Sequence, residues 1–176
     1  GTIDNGILRL IDKTKGNEAL FIPVLFLLFS LGGAVFGMGE EAVAFAIIIA
    51  PLMVRLGYDG ITTVMVTYVA TQIGFATSWM NPFSVAIAQG IAGIPVLSGM
   101  TVRMGLWAAF TAIGIAFTMI YASRIKANPE LSYSRRTDKY FRQQELGDHD
   151  SRWNLGDTLV ILTVIATTVW VVWGVV

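Results

Sequence analysis

Two carboxylates stand side by side at Glu40 and Glu41, in the glycine-rich connector Gly37-Met-Gly-Glu-Glu41 between two apolar runs. Should those runs enter a bilayer, the pair is costly and marks an ion or substrate pathway. Both residues also open the second run, whose N-terminus favours negative charge, so the plainer alternative is that they cap that helix in water. A second constellation is Thr77-Ser-Trp-Met-Asn-Pro82. Pro82 has no N–H, and its ring clashes with the carbonyl of Ser78, so a helix here must break and free that carbonyl. Two hydroxyls, an amide and freed backbone are hard oxygen donors suited to Na⁺ or to a polar substrate. The alternative is a proline kink whose polar groups satisfy one another. Gln89 either faces the same cavity or bonds between helices. The candidate substrate- or ion-binding set is therefore Glu40, Glu41, Thr77, Ser78, Asn81 and Gln89. Gly37, Gly39 and Pro82 shape the turn and the break, and Na⁺ near Ser78 and Asn81 is the one metal these donors suit.

Enzyme chemistry finds little purchase. There is no cysteine, hence no disulfide framework, thiolate metal site or cysteine nucleophile. His149 stands alone in a polar stretch, and one histidine cannot build a metal site unaided. No Ser/His/Asp set, phosphate-binding loop or nucleotide fingerprint occurs. Formal net charge is zero, which argues against a nucleic-acid partner. No enzyme and no cofactor are expected; Na⁺ or H⁺ remain as coupling ions.

The elements that must position these residues are those of an all-α integral membrane protein. Mean hydropathy is +0.66, with 55% hydrophobic and 14% charged residues, against about a quarter charged in soluble domains. The charges cluster in residues 1–18, around Arg55 to Asp59 and in 124–157, leaving nearly bare apolar spans between. Residues 1–18 suit an amphipathic interfacial helix. Residues 19–56 read as a helical hairpin: a full span followed by a short arm, with Pro51 in its last turn and Arg55 at its close. That short arm predicts a turn back inside the membrane, where irregular backbone must be buried in protein or line water. Residues 60–94 form a discontinuous helix interrupted at Asn81-Pro82, 99–124 a full span, 125–154 a polar loop, and 155–176 a last span. The chain starts without a Met and stops within an apolar run, so a fragment of a longer protein is expected. Gly32-Gly33 and the Gly90/Gly93 pair suit close helix contact, and the tryptophans suit packing or interface anchoring. Trp79, beside the break, could also hold a cation over its face.

Lys and Arg density sets the expected orientation. The 124–152 loop holds Arg124, Lys126, Arg135, Arg136, Lys139, Arg142 and Arg152, whereas 94–100 holds none. Residues 1–18, 55–60 and 125–154 are thus expected in the cytoplasm of a bacterial cell with the protein in its inner membrane. Arg103, near the outer end of its helix, is the exception and is expected to snorkel.

The strings Phe29-Ser-Leu-Gly-Gly-Ala-Val-Phe-Gly-Met-Gly-Glu-Glu41, Gln72-Ile-Gly-Phe-Ala-Thr-Ser-Trp-Met-Asn-Pro-Phe-Ser-Val-Ala-Ile-Ala-Gln-Gly90 and Leu97-Ser-Gly-Met100 resemble the YfcC family of basic amino acid antiporters. That family belongs with the anaerobic C4-dicarboxylate carriers in the ion transporter superfamily. The resemblance implies two inverted repeats, each with a re-entrant hairpin and a broken helix, of which this chain is the first. It differs from the sodium/dicarboxylate branch in lacking a Ser-Asn-Thr tip, where Glu40 and Glu41 stand instead. The reading that follows is a secondary transporter, antiporter or symporter, moving small organic ions such as arginine or ornithine by alternating access. A C4-dicarboxylate carrier is the alternative, and a non-transporting structural subunit the alternative of another class. Expected partners are the bilayer, a small-molecule substrate, the missing second repeat and a second copy in a homodimer.

Overall fold

The computed structural model describes residues 18–143 and, beyond them, Gly156, Thr158, Leu159, Leu162, Thr163 and Ala166, which are helical. The interfacial segment 1–18 (save Glu18), His149 and most of the last span therefore lie outside the described residues. Helices follow one another as α1 (Phe21–Phe36), α2 (Glu41–Arg55), α3 (Gly60–Ala76), α4 (Pro82–Ile91), α5 (Met100–Ala127) and α6 (Arg135–Gln143). No strand occurs among the described residues. Of these helices, α5 is long and apolar enough to cross a membrane, and α1, α3 and α4 are shorter apolar helices. At about 1.5 Å per residue, α1 and α2 reach roughly 22–24 Å, while α3 and α4 together match the roughly 42 Å of α5.

Packing is organised around α3, which runs beside α1, α2 and α5. The α1–α3 contact is backbone on backbone. A Cβ added at Gly74 would stand 1.9 Å from the Ser30 carbonyl oxygen, and one at Gly33 would stand 2.1 Å from that of Thr71. Lipid tails supply no hydrophobic drive between helices, so such small-residue contacts are what hold helices together in a bilayer. Gly114 of α5 admits the Phe26 ring of α1 in the same way. The Gly32-Gly33 expectation holds at Gly33, whereas Gly90 and Gly93 have nothing within 4 Å of a built Cβ. The two hairpin arms touch through Phe29 and Phe45, ring centroids 5.6 Å apart, but α2 packs mainly against the first half of α3 and against α6.

The outward faces are apolar. Val24, Leu28 and Phe36 on α1, Val43 and Ile47 on α2, and Val102, Ile113 and Phe117 on α5 are all more than half exposed. Such surface on α1, α2 and α5 suits lipid contact rather than water. The inward polar groups are mostly self-satisfied. Thr63, Thr67 and Thr71 each donate a hydroxyl hydrogen to the carbonyl four residues back, at 3.2, 2.7 and 2.8 Å, so α3 can carry a polar stripe without presenting free hydroxyl donors.

One end of the bundle is tied by a buried acid. Asp59 caps α3 and accepts from the Thr62 N–H, the Thr62 hydroxyl, Tyr121 of α5 and Ser132. Asp138 of α6 accepts in turn from the Gly60 N–H and from Ser134. This network turns part of the expected polar loop into ordered structure: the helix α6 forms because its one buried acid docks on the start of α3. Burial pushes the Asp59 carboxyl up, but the hydrogen bonds from Thr62, Tyr121 and Ser132 outweigh it and hold the pKa below the ordinary 3.8.

Two stability predictions follow from these contacts. Gly74→Ala is expected to cost about 1–3 kcal/mol of stability in detergent, the range for overpacking, with Gly90→Ala unchanged by the same melting assay. A depressed acid stabilises the fold above its unfolded pKa and stops doing so as pH falls through its folded value. Asp59→Asn is therefore expected to melt lower at pH 7 and to lose the part of the acid-limb decline, below pH 3.8, that Asp59 supplies in wild type.

Candidate functional site

The hairpin turn and the helix break meet. Helix α1 ends in a wide, π-helical turn over Gly32–Phe36, and Gly37 follows in the left-handed region (φ 71°). A Cβ at Gly37 would stand 2.4 Å from the Asn81 side-chain oxygen and 2.8 Å from the Phe83 ring. Only glycine serves there, for both conformation and space. Gly39 approaches Gln72 of α3, at 3.8 Å for a built Cβ.

The break itself is wider than a proline kink. Helix α3 ends at Ala76 with Thr77 as its C-cap, and α4 begins afresh at Pro82 behind Asn81. Asn81 is the N-cap: its side-chain oxygen accepts from the backbone N–H of Phe83 (2.8 Å) and of Ser84 (3.3 Å), and Pro82 occupies a first-turn position where no N–H is missed. The expected loss of one bond at the Ser78 carbonyl is thus replaced by a complete stop and restart.

Asn81 is fully buried. Its oxygen is spent on the cap, and its amide nitrogen is the one buried side-chain polar atom without a hydrogen-bond partner among the described residues. A buried donor left bare costs about 1–3 kcal/mol. It calls for an acceptor, not a cation, so a Na⁺ near Ser78 and Asn81 would have to draw on hydroxyls and backbone carbonyls. Thr77 donates to the Ile73 carbonyl at 2.7 Å, and the Ser78 and Ser84 hydroxyls face each other across the break at 3.5 Å.

The other candidates fall in different places. Glu40 and Glu41 are exposed; Glu41 turns back to accept from the Gly39 N–H at 3.0 Å, while Glu40 makes no capping bond with its side chain. Gln89 is buried and fully engaged, donating to the Ser98 carbonyl (2.9 Å) and accepting from the Leu97 N–H (2.6 Å). It holds the turn in which Leu97 takes a positive φ of 66°, so it braces the α4–α5 connector. Trp79 is buried, packed edge to face on Trp107 at 4.7 Å, and Trp107 donates to Ser30 at 2.9 Å. Geometry thus joins Gly37 with Asn81 and Phe83, brings Gly39 to Gln72 instead, leaves Thr77, Ser78 and Pro82 on the break that Asn81 closes, and keeps Gln89 apart.

A model of the DcuC family, C4-dicarboxylate anaerobic carrier, matches residues 1–176. The chain belongs to the C4-dicarboxylate anaerobic carrier family. It is 65% identical, over its whole length, to 35% of a protein of Escherichia coli (strain K12) named "Putative basic amino acid antiporter YfcC". A protein of Haemophilus influenzae (strain Rd) named "Uncharacterized protein" is 40% identical over 151 residues, covering 85% of this chain and 30% of that one. The chain thus spans about a third of the length of these curated relatives. No solved structure matches. The family is described as that of a carrier, and the Escherichia coli relative is named an antiporter.

Sequence reasoning missed two things. A cavity of about 480 Å³ lies between the break and α5, lined by Thr77, Ser78, Ser84 and Arg103 among others; Arg103 had been expected to snorkel. The Gly74 contact also went unread, although its small-residue spacing to the break was visible. The Gln89 assignment is checked by hydrogen exchange. Gln89→Ala is expected to speed exchange at least about tenfold across 92–99, since a charge-neutral buried bond of this kind is worth about 1 kcal/mol and three are lost. Exchange confined to wild-type rates would return Gln89 to the ligand-binding set.

Proposed function

We propose that the chain is the first inverted repeat of a secondary active transporter of the bacterial inner membrane. On this reading the protein moves small organic ions, amino acids such as arginine or ornithine, by alternating access without ATP. The hairpin of α1 and α2 is re-entrant, and the break between α3 and α4 sits at mid-membrane. The single observation that carries the reading is the bare amide donor of fully buried Asn81, held where the hairpin tip at Gly37 meets the break. Protein interiors do not leave such donors unpaired, and a solute arriving at that junction supplies the missing acceptor. The second arm, Glu41–Arg55, reaches roughly 22 Å, short of the ~30 Å hydrocarbon core, and supports a turn within the membrane.

Glu40 and Glu41 follow the tip directly. They balance a cationic cargo or carry a proton, and Thr77, Ser78 and freed backbone offer oxygen to a coupling Na⁺. A second reading, C4-dicarboxylate cargo, is favoured by the description of the matched family; two carboxylates at the tip then repel the cargo instead of holding it.

Uptake of radiolabelled arginine into proteoliposomes by the full-length protein decides the glutamates' part. Glu40→Gln and Glu41→Gln are each expected to slow uptake about tenfold or more, as for loss of one charge-assisted contact. Unchanged uptake in both variants removes the pair from the mechanism.

A further inference from the structure

We infer that the cavity between the helix break and α5 is a carboxylate-binding subsite, with Arg103 as its charge partner. It deepens the transport reading and rests on it only for the statement that the bound acid is cargo. Three observations meet there. The first is where Arg103 sits on α5. The residues of that helix that are covered by the bundle recur as Trp107, Thr111, Gly114, Thr118 and Ala122, and Arg103 lies one turn before Trp107 on the same stripe. Its immediate neighbours Thr101, Val102, Met104 and Gly105 are exposed while Arg103 is half-buried. An arginine that snorkels points to the membrane surface along the outer face; this one is turned inward to the break.

The second observation is the company it keeps. Arg103 lines the cavity with the hydroxyls of Thr77, Ser78 and Ser84, against Phe75 and Leu106. No carboxylate lines it, and no ion pair forms on Arg103 among the described residues. A guanidinium in a largely apolar setting needs an anion, and its planar fork fits a carboxylate in two bonds. The third is polarity. Ser84 lies in the first turn of α4, an end of the helix where partial positive charge accumulates. Thr77 spends its hydroxyl hydrogen on the Ile73 carbonyl, but the Ser78 and Ser84 hydroxyls, a fixed cation and a helix N-terminus all favour the same sign of ligand. At about 480 Å³ the cavity falls within the ~300–1,000 Å³ of small-molecule sites and exceeds what one carboxylate needs. The subsite thus takes the acid end of a small organic acid or amino acid and leaves room for its chain.

The test uses purified full-length protein and two pairs of probes, succinate against succinamide and L-arginine against L-argininamide, with binding measured by calorimetry. Each pair differs in carboxylate against amide. At least one acid is expected to bind wild type about 10- to 100-fold more tightly than its amide, the worth of a hydrogen-bonded charge. In Arg103→Ala that preference is expected to collapse to within about twofold, with partial retention in Arg103→Lys. Ser84→Ala, a milder change that keeps the fold should Arg103→Ala not, is expected to weaken the acid by about 2- to 10-fold and leave the amide unaffected. An acid preference that survives in Arg103→Ala, or one undiminished from wild type in Ser84→Ala when Arg103→Ala does not fold, overturns the assignment. So does a wild type that prefers neither acid. Arg103-dependent acid binding without any uptake in proteoliposomes leaves the subsite standing and removes transport; uptake without that dependence does the reverse.

Discussion

Everything in the described residues hangs on two carbonyl oxygens lying against two glycines. With Ser30 on Gly74 and Thr71 on Gly33, α1 and α3 run together closer than any side chain would permit. That register decides what happens further along both helices. The hairpin turn at Gly37 arrives beside Asn81, because α1 and α3 start from the same end of the bundle and each has advanced a similar distance. A helix pair held apart by even one methyl on this seam would carry the turn past the break, and the buried junction would open. In water such a seam would be supplemented by the burial of apolar surface. In lipid it is close packing and hydrogen bonding that decide, which is why Ser30, at the seam, also bonds Thr111 and Trp107 of α5.

Three π-helical stretches mark the same path: Gly32–Phe36, Met65–Val69 and Pro82–Ala86. Each takes one extra residue into a turn and rotates the following side chains onto a new face. The first precedes the Gly37 turn, the second lies mid-way along the threonine stripe, and the third opens α4 behind the Asn81 cap. Regular helix in these places would give the seam and the cap different faces. The π turns are how one continuous chain keeps Gly33 on α3 and still presents Gly37 to Asn81.

Much of this was legible in the amino-acid sequence, for physical reasons that differ from residue to residue. Charge-free runs bounded by Arg55, Asp59 and the 124–152 basic cluster marked the helices; Arg55 falls in the last turn of α2 as expected, while Pro51 lies inside the helix, a turn earlier. Asn81-Pro82 announced a break because proline lacks a donor. Its extent was not legible, since a kink and a full stop share the same dipeptide and differ only in whether Asn81 caps the second helix. Gln89 carried no local sign of its partners, which lie in a connector eight and nine residues on. Asp59 stood in the sequence only as one of the charges bounding the apolar runs, and the bonds it takes from Tyr121 and Ser132 span 62 and 73 residues with no periodicity to betray them. Arg103 could be placed near a helix end by counting; which way it turned depended on the stripe set by Trp107 and Thr111, and so on tertiary packing.

The charges on the two sides of the junction bear on cargo differently. An amino acid and a C4-dicarboxylate both carry a carboxylate, so a subsite built on Arg103 and hydroxyls accepts either and cannot tell them apart. Discrimination then falls to whatever meets the other end. Glu40 and Glu41 are acidic and exposed, with Glu41 only lightly tied by the Gly39 N–H; a positively charged end is drawn to them and a second carboxylate is repelled. A cation alone would satisfy the glutamates but leave the Asn81 donor and Arg103 bare. A dianion would satisfy those two and face the tip with like charge. On the proposed transport reading, a zwitterion with a basic side chain is the cargo whose two ends would answer both demands, which puts substrate choice at the hairpin tip and not in the cavity.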